Sequence, residues 1–366
     1  MAMRRLVPPM IAALLAAYVS IGAEAAERDA AKPAAAKATL GTPAAKPSDA
    51  KPATGALAPA AAKIAPVAAK TLFGAAKAPA PLAARAIGYY SRGCLSGARQ
   101  LAIDGPAWQA MRLSRNRNWG HPDLVALVER LADEVKREDG WPGLLVGDLS
   151  QPRGGPMLTG HASHQIGLDA DIWLTPMPDR RLSADERETL SATNMVVDNQ
   201  LSVDTKAWTP AHVNVLRRAA SYDAVERILV HPAIKKALCE AAGRDRKWLQ
   251  KVRPYWGHNY HFHVRIGCPK GSANCREQSP PAADDGCGKE LDDWFALVTA
   301  PPKPPPKVPP KPKPPPTLAD LPAECRMVLE SDAQAPKAAA AKTPAPGEAA
   351  IVPPVPKPAK RAVAGE

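Results

Sequence analysis

Apolar residues recur in the middle of the chain at the spacing of helices. An amphipathic helix is predicted between the start signal His121-Pro122-Asp123 and Gly140, because four apolar positions recur at helical intervals: Leu124, Val128, Leu131 and Val135. A second helix is predicted from Thr209-Pro210 to about residue 220, with Thr as the cap and Pro in the first turn. A third is predicted to begin at Pro232 and run to about residue 242.

Two other segments alternate apolar and polar side chains with the period of a β-strand. The polar face carries Asp169 and Asp171 in residues 168–174, and His261 and His263 in residues 260–266. The core-facing positions are predicted to be Leu168, Ala170, Ile172, Leu174, Tyr260, Phe262, Val264 and Ile266. Short apolar runs predict two more strands, Leu144–Val146 and Val225–Val230. No regular strand–helix–strand alternation appears, which favours an α+β domain with a largely antiparallel sheet.

The two ends of the chain have a different composition. The 366 residues include 42 prolines, and residues 26–85 and 299–366 are rich in Ala, Pro and Lys. Such segments bury too little apolar surface to offset the entropy of ordering. We therefore predict a disordered tether at 26–85, one compact domain at 86–298 and a Pro/Lys-rich tail at 299–366. An apolar island around Cys325 predicts that the tail is clipped back onto the domain.

The first 25 residues predict export. Residues 1–5 are basic, positions 6–22 are mostly apolar, and Ala23-Glu24-Ala25 is a small-x-small cleavage signal. The alternative is an uncleaved anchor, but the apolar stretch is short and no later run reaches the roughly 20 residues of a membrane span. We expect a signal peptide at 1–25, no membrane span after cleavage, and disulfides among the six cysteines. Cys268 and Cys275 form a natural local pair.

The formal net charge of +12 comes mostly from the two ends. Nine Lys and Arg oppose three acids between Glu27 and Arg85, and ten oppose six after residue 300, so the central region is near neutral. Basic tails on an exported protein suit a polyanionic envelope surface, or simply raise solubility. Nucleic acid is not expected as a partner, because export separates the protein from it and the predicted domain is not basic.

Five of the eight histidines lie in two short windows: 160–174 and 256–266. Catalytic zinc takes three ligands from His, Asp, Glu or Cys and keeps a fourth position for water. His164 and Asp171 can converge across a turn at Gly167, and strand spacing places His261 and His263 on one face. If one of that pair binds the metal, the other can act as a base on water. Each fragment alone is also explained by polar surface or hydrogen bonding, but together they predict a zinc site.

Four stretches of the chain resemble the penicillin-insensitive murein endopeptidases of the LAS group (lysostaphin, D-alanyl-D-alanine metallopeptidase and Hedgehog-like proteins). They read MRLSRNRNWGHP at 111–122, QPRGGPM at 151–157, GHASHQ at 160–165 and WGHNYHFHVRI at 256–266. The resemblance covers about residues 86–298 and implies a LAS/Hedgehog-like fold. It also implies a periplasmic enzyme that depends on Zn²⁺ and cuts the D-alanyl to meso-diaminopimelyl cross-link of peptidoglycan.

The same resemblance implies a role for each matching polar residue. Zinc would be held by three ligands: His164, Asp171 and His263. The catalytic base would be His261, while His258 and His161 would line the cleft and polarise the scissile carbonyl or orient ligands and water. No ligand position departs from the family pattern.

Two further polar residues and the remaining cysteines complete the expected site and its frame. Asp169 shares a strand face with Asp171 and is either an outer partner of a zinc histidine or a surface carboxylate. Arg153, in the Gly-rich loop before the site, either holds a substrate carboxylate or is a structural loop residue. The family pattern implies two disulfides besides the local one: Cys239–Cys287 and Cys94–Cys325. The latter would fasten the tail island to the start of the domain.

Two rival functions remain open on the sequence alone. A D,D- or L,D-carboxypeptidase on the same scaffold would need a pocket closed around a terminal carboxylate. A non-catalytic murein-binding module would have no reason to keep both His261 and an open metal position. No sequence pattern indicates the oligomeric state.

Overall fold

A computed structural model describes residues 66–301, 304, 311 and 313–334. The predicted signal peptide, most of the tether and most of the tail lie outside the described residues. Seven α-helices occur in the described part of the chain: α1 (Ala69–Ala75), α2 (Pro122–Glu138), α3 (Ala184–Thr189), α4 (Pro210–Ser221), α5 (Pro232–Ala241), α6 (Lys289–Val298) and α7 (Glu324–Gln334). None of these described helices is long and apolar enough to span a membrane.

The strands are β1 (Arg85–Tyr89), β2 (Arg92–Ser96), β3 (Arg99–Gln100), β4 (Trp108–Ala110), β5 (Trp119–Gly120), β6 (Leu144–Val146), β7 (Asp169–Pro176), β8 (Val225–Val230), β9 (Val252–Pro254) and β10 (His261–Ile266). Six of them form one sheet in the order β4-β6-β7-β10-β8-β9. The three central pairings are antiparallel, and the two edge pairings, β4–β6 and β8–β9, are parallel. The predicted α+β class with a largely antiparallel sheet is confirmed.

The predicted helices begin where the start signals stand. Helices α2, α4 and α5 each have proline at the first helical position, where its missing N–H costs no hydrogen bond. His121 caps α2 by accepting from the Asp123 amide at 3.2 Å. The four apolar residues that predicted α2 are fully buried in the core that also contains Ile172 and Phe262. Each such burial contributes about 1.5–3 kcal/mol, so packing of this face stabilises the helix.

Helix α1 lies inside the 26–85 segment that the sequence predicts to be unfolded. Its Phe73 is fully buried in a second, smaller core with Ile87 and Val328. This partner surface comes from distant parts of the chain, because the Cys94–Cys325 disulfide joins residues 231 positions apart and holds α7 at the start of the domain. A single aromatic residue in an Ala/Pro/Lys segment therefore finds a core that local composition does not reveal.

All six cysteines are bridged. Besides Cys94–Cys325, the pairs are Cys239–Cys287 and Cys268–Cys275. These are the pairings expected from the local spacing and from the family pattern. Cys239–Cys287 joins α5 to the loop before α6.

Candidate active site

The two strands that carry the predicted metal ligands are direct neighbours in the sheet. β7 and β10 pair antiparallel with His263 opposite Asp171, and Arg265 opposite Asp169. Because directly opposed residues of paired strands project from the same face, the alternation that placed these residues on polar faces also brings the two faces together. The Asp-x-Asp of one strand thus meets the His-x-His of the other.

His164 reaches this face from a tight turn before β7. Gly167 makes the turn possible: its φ is +70°, and a Cβ there would lie 2.4 Å from Leu95. His164 itself has φ +66°, a left-handed conformation that is rare outside glycine. Its Nδ1 lies 2.5 Å from the Leu149 carbonyl and so is the donor to it; in the neutral tautomer Nε2 then carries the lone pair. That Nε2 is buried and has no hydrogen-bond partner.

Asp171 is the point at which the histidines converge. Its Oδ1 lies 3.4 Å from Nε2 of His164, 3.0 Å from Nδ1 of His263 and 3.7 Å from Nε2 of His261, and its Oδ2 lies 3.3 Å from Nδ1 of His161. Burial opposes ionisation, but His164 and His261 outweigh it and hold the pKa of Asp171 well below its usual value. The site therefore has a charged oxygen surrounded by imidazole nitrogens.

Two overlapping sets of residues could hold a metal ion here. One potential ligand atom each from His161, His164 and Asp171 lie within 4.8 Å of one another. The set implied by the resemblance has His263 in place of His161. Both histidines contact Asp171, and they differ in exposure: the side chain of His161 is 26% exposed and that of His263 only 4%.

Asp169 is buried and not a surface carboxylate. Its Oδ1 accepts from Nε2 of His263 at 2.7 Å and from Nε of Arg265 at 2.6 Å. Burial opposes its charge, but Arg265 and His263 lower its pKa below the usual value. Although burial lowers the pKa of His263, its hydrogen bonds to Asp169 and Asp171 raise it overall. Asp169 thus orients the ring of His263 so that Nδ1 faces Asp171.

His261 and His258 lie next to each other beside this cluster. Their ring centroids are 4.7 Å apart, and the ring of His258 is 5.9 Å from that of His263. Nδ1 of His261 is buried without a hydrogen-bond partner. His258 has φ +57° and its Nδ1 contacts the Trp256 carbonyl at 2.6 Å. Burial, together with His261 and His263, lowers the pKa of His258 to about 3, so its ring is neutral.

Asp148 is a site residue that sequence reasoning missed. One oxygen, Oδ2, lies 3.0 Å from Nε2 of His161, 2.9 Å from Nη1 of Arg117 and 3.2 Å from Nη1 of Arg115. Burial opposes its charge, but the hydrogen bond to His161 and the two arginines lower the pKa of Asp148 to about 2. The sequence feature that could have pointed to Asp148 is its position two residues after the apolar strand β6. Arg117 lies in the 111–122 stretch that resembles the family.

Arg153 is buried among backbone carbonyls and does not line the cleft. It is 4% exposed, and its guanidinium donates to the carbonyls of Ala78 (3.1 Å), Val328 (3.0 Å) and Leu329 (2.6 Å). These acceptors lie next to α1 and in α7. The arrangement corrects the idea that Arg153 holds a substrate carboxylate, because backbone carbonyls already occupy its donors.

A cleft of about 310 Å³ opens onto the cluster. Its lining residues are Arg112, Arg115, Gly147, Asp148, His161, Asp171, Trp173, Ser191, Ala192, Tyr260 and His261. Tyr260 was predicted to face the core, but it is 42% exposed and precedes β10, whose first residue is His261. The strand alternation therefore does not extend to it, and its ring forms part of the cleft wall.

Fold and site together define a class of protein: an α+β domain whose cleft ends on a buried histidine–aspartate cluster, the donor set of a metal-dependent hydrolase. A family model described as penicillin-insensitive murein endopeptidase matches residues 86–330. The chain belongs to that family.

Individual relatives agree with this assignment, and each is named penicillin-insensitive murein endopeptidase. The protein of Haemophilus influenzae is 47% identical over 232 residues, 61% of this chain and 78% of the relative. That of Pectobacterium atrosepticum is 43% identical over 246 residues, 67% and 84% of the two chains. That of Escherichia coli is 41% identical over 252 residues, 69% and 88% of the two chains.

Proposed function

We propose that this protein is a periplasmic zinc endopeptidase that hydrolyses the D-alanyl to meso-diaminopimelyl cross-links of peptidoglycan. Family membership supports the murein endopeptidase activity. The observation that carries the metal-dependent chemistry is the convergence of His161, His164, His261 and His263 on the carboxylate of Asp171 at the base of the cleft.

The spacing of these donors suits zinc. With Zn–N distances of about 2.0–2.1 Å, ligand atoms at the corners of a tetrahedron lie about 3.3 Å apart. Oδ1 of Asp171 is 3.4 Å from Nε2 of His164 and 3.0 Å from Nδ1 of His263. We assign the metal to these three residues. The buried, unpartnered Nε2 of His164 supports this choice, because an unsatisfied polar atom in a native core calls for an unseen partner.

Asp169 supports this assignment by holding the nitrogen of His263 that does not bind the metal. It accepts from Nε2 of His263 at 2.7 Å, which fixes the tautomer and the ring orientation and leaves Nδ1 as the ligand atom. A carboxylate behind a metal-binding histidine is a common arrangement, and its loss usually weakens metal binding about 10- to 100-fold.

Held by His164, Asp171 and His263, zinc would supply Lewis-acid chemistry: it would polarise the scissile carbonyl and lower the pKa of water to near neutrality. His261 accepts a proton from the attacking water and passes it to the departing nitrogen. The water oxygen bonds to the carbonyl carbon and the C–N bond breaks; the second proton of the water also ends on the departing nitrogen, so the products are one carboxylate and one protonated amine. His258, beside His261, and His161, held by Asp148, orient the carbonyl and the water.

Digestion of purified cross-linked muropeptide dimers tests this function. Wild-type protein loaded with zinc is expected to convert dimers to monomers, and a chelator is expected to stop the reaction until zinc is restored. His261→Ala should retain zinc and lose about 10²- to 10⁴-fold in rate, the usual contribution of a general base.

Other outcomes of the same digestion identify the rival functions. Release of free D-alanine with dimers left intact would indicate a carboxypeptidase. Intact dimers with no product, together with bound zinc and retained binding to murein sacculi, would indicate a non-catalytic binding module.

A further inference from the structure

We propose that Arg115 binds the free carboxylate on the leaving-group side of the scissile bond and selects substrates that carry it. The proposal rests on the proposed function, since the carbon next to the scissile nitrogen of a D-alanyl to meso-diaminopimelyl cross-link bears a carboxylate. The cleft lining includes two cations that could pair with such a carboxylate, Arg112 and Arg115.

Two arginines line the cleft, and only one of them is available for a ligand. Arg112 donates to the carbonyls of Arg187 (2.8 Å) and Leu190 (2.7 Å), and its guanidinium lies over the ring of Trp173. The side chain of Arg115 is 46% exposed, and its one hydrogen bond among the described residues goes to Asp148 at 3.2 Å. The planar guanidinium of Arg115 therefore keeps most of its five N–H donors for a bidentate contact with a carboxylate.

Asp148 does not depend on Arg115 for its charge balance. The same oxygen, Oδ2, accepts from Arg117 at 2.9 Å, and the Arg117 side chain is only 8% exposed. A buried carboxylate that lost its only cation would be strongly destabilised. Because Arg117 remains in place, Arg115 can turn toward a substrate without leaving Asp148 unpaired.

The backbone that carries Arg115 is held in an unusual conformation. A 3-10 turn, Leu113–Arg115, lies between two left-handed residues, Arg112 (φ 57°) and Asn116 (φ 51°). Ser114 anchors the turn to α3, because its amide and hydroxyl both donate to Glu188, at 2.8 and 2.9 Å. Left-handed non-glycine residues cost about 1–3 kcal/mol each and persist where surrounding contacts enforce them, often at ligand sites. This turn fixes the position from which Arg115 faces the cleft.

The position of Arg115 also matches the chemistry. Oδ2 of Asp148 contacts both Arg115 and His161, and Nδ1 of His161 lies 3.3 Å from Asp171. The guanidinium is thus separated from the histidine–aspartate cluster by a single carboxylate. A substrate whose carbonyl lies at the cluster would bring the carboxylate beside its scissile nitrogen into this neighbourhood.

The test compares two synthetic muropeptide dimers that differ in one group: the carboxylate next to the scissile nitrogen is free in one and amidated in the other. The full chain, loaded with zinc, is measured as wild type, Arg115→Gln and Arg115→Lys. Arg99→Gln is the matched control, because the Arg99 side chain is also half exposed (45%) and pairs with one carboxylate, Glu129 at 2.8 Å, outside the cleft lining.

Wild type and Arg99→Gln are expected to prefer the free acid by about 10- to 100-fold in kcat/KM, the range of a hydrogen bond to a charged group. In Arg115→Gln this ratio should fall to near one, mostly through KM. In Arg115→Lys, which keeps the charge but loses the fork, it should be intermediate. Equal cleavage of both dimers by wild type, or an unchanged ratio in Arg115→Gln, overturns the proposal while the proposed function stands. Failure of the wild type to cut either dimer overturns both.

Discussion

Two groups of charged and polar residues in this protein differ in whether their buried polar atoms have hydrogen-bond partners. The first, the Asp171 cluster, consists of His161, His164, Asp171, His261 and His263. The second, the Arg253 cluster, lies beside the Cys239–Cys287 disulfide and consists of Lys235, Arg246, Arg253, Asp284, Asp285 and Glu290. Only three buried side-chain nitrogen or oxygen atoms in the described part of the chain lack a hydrogen-bond partner: Nε2 of His164, Nδ1 of His261 and Nε of Arg217. Two belong to the Asp171 cluster and none to the Arg253 cluster.

In the Arg253 cluster, cationic side chains donate to carbonyls and carboxylates of three segments: residues 249–250, the loop at 282–285 and the start of α6. Arg253 donates to the carbonyls of Gln250, Ala282 and Asp284 and to the carboxylates of Asp284 and Glu290. Nζ of Lys235 donates to the carbonyls of Leu249 and Asp285. Donors and acceptors match, so the cluster fixes the loop before α6. A cluster of charged residues is therefore not by itself evidence of an active site. In this protein the evidence is a pair of buried imidazole nitrogen atoms that lack hydrogen-bond partners and lie in a cluster around a carboxylate.

Removing a ligand should produce the largest effect. His164→Ala is expected to lose bound zinc and at least about 1,000-fold in activity, because the metal supplies several kcal/mol of transition-state stabilisation. Zinc content after dialysis, and dimer cleavage, measure the two losses. Folding should persist, since the only hydrogen bond lost from the ring is that to Leu149.

The same measurement decides between the two possible ligand sets. His263→Ala should also lose zinc, whereas His161→Ala should keep zinc and lose activity. Zinc retained by His263→Ala and lost by His161→Ala would replace His263 with His161 in the ligand set. Full zinc content in His164→Ala would contradict the site itself.

Removing hydrogen bonds from the Arg253 cluster should lower the stability of the fold and leave the catalytic activity unchanged. Arg253→Met removes the donor to the carbonyls of Gln250, Ala282 and Asp284, so we expect the free energy of unfolding to fall by about 2–3 kcal/mol. Urea denaturation measures this change, and activity per folded molecule should remain near that of the wild type. Arg180→Met is the control: the Arg180 side chain is 59% exposed and pairs with Glu186, and exposed pairs contribute little. A loss of zinc in Arg253→Met would mean that the clusters are coupled.

Period and spacing in the sequence predict only the part of the Asp171 cluster that lies on strands, because strand side chains alternate between faces, whereas His161 and His164 lie in the loop before β7. The alternation of β7 and β10 places Asp171 and His263 on polar faces, and only their direct pairing had to be added by the fold. Asp148 and Arg115 could not be predicted in this way. They lie in a loop and a short turn, where no periodicity relates one side chain to the next.

The terminal helices show the same limit at the level of the fold. Phe73 stands alone in an Ala/Pro/Lys segment, and its core is supplied by residues near 87 and 328. Local composition measures what a segment can bury by itself, so it takes no account of the distant residues against which Phe73 of α1 is buried. The structural role of Arg153 could not be predicted for the same reason, because its acceptors at Ala78, Val328 and Leu329 are in place only once both helices have packed.

The smallest expected effect is a pH dependence of stability that comes from Lys235 in the Arg253 cluster. Burial, with Arg253 nearby, lowers the pKa of Lys235 from 10.5 to about 7. Between these values the unfolded chain binds a proton that the folded chain lacks, so the stability contributed by Lys235 rises with pH, and below pH 7 the dependence disappears. The difference in unfolding free energy between wild type and Lys235→Met should rise by about 1 kcal/mol per unit from pH 7.5 to 9.5. Lys289→Met, at an 85% exposed side chain, should show a flat difference. A flat difference for Lys235→Met too would mean that the two carbonyls keep the ammonium charged in the folded protein.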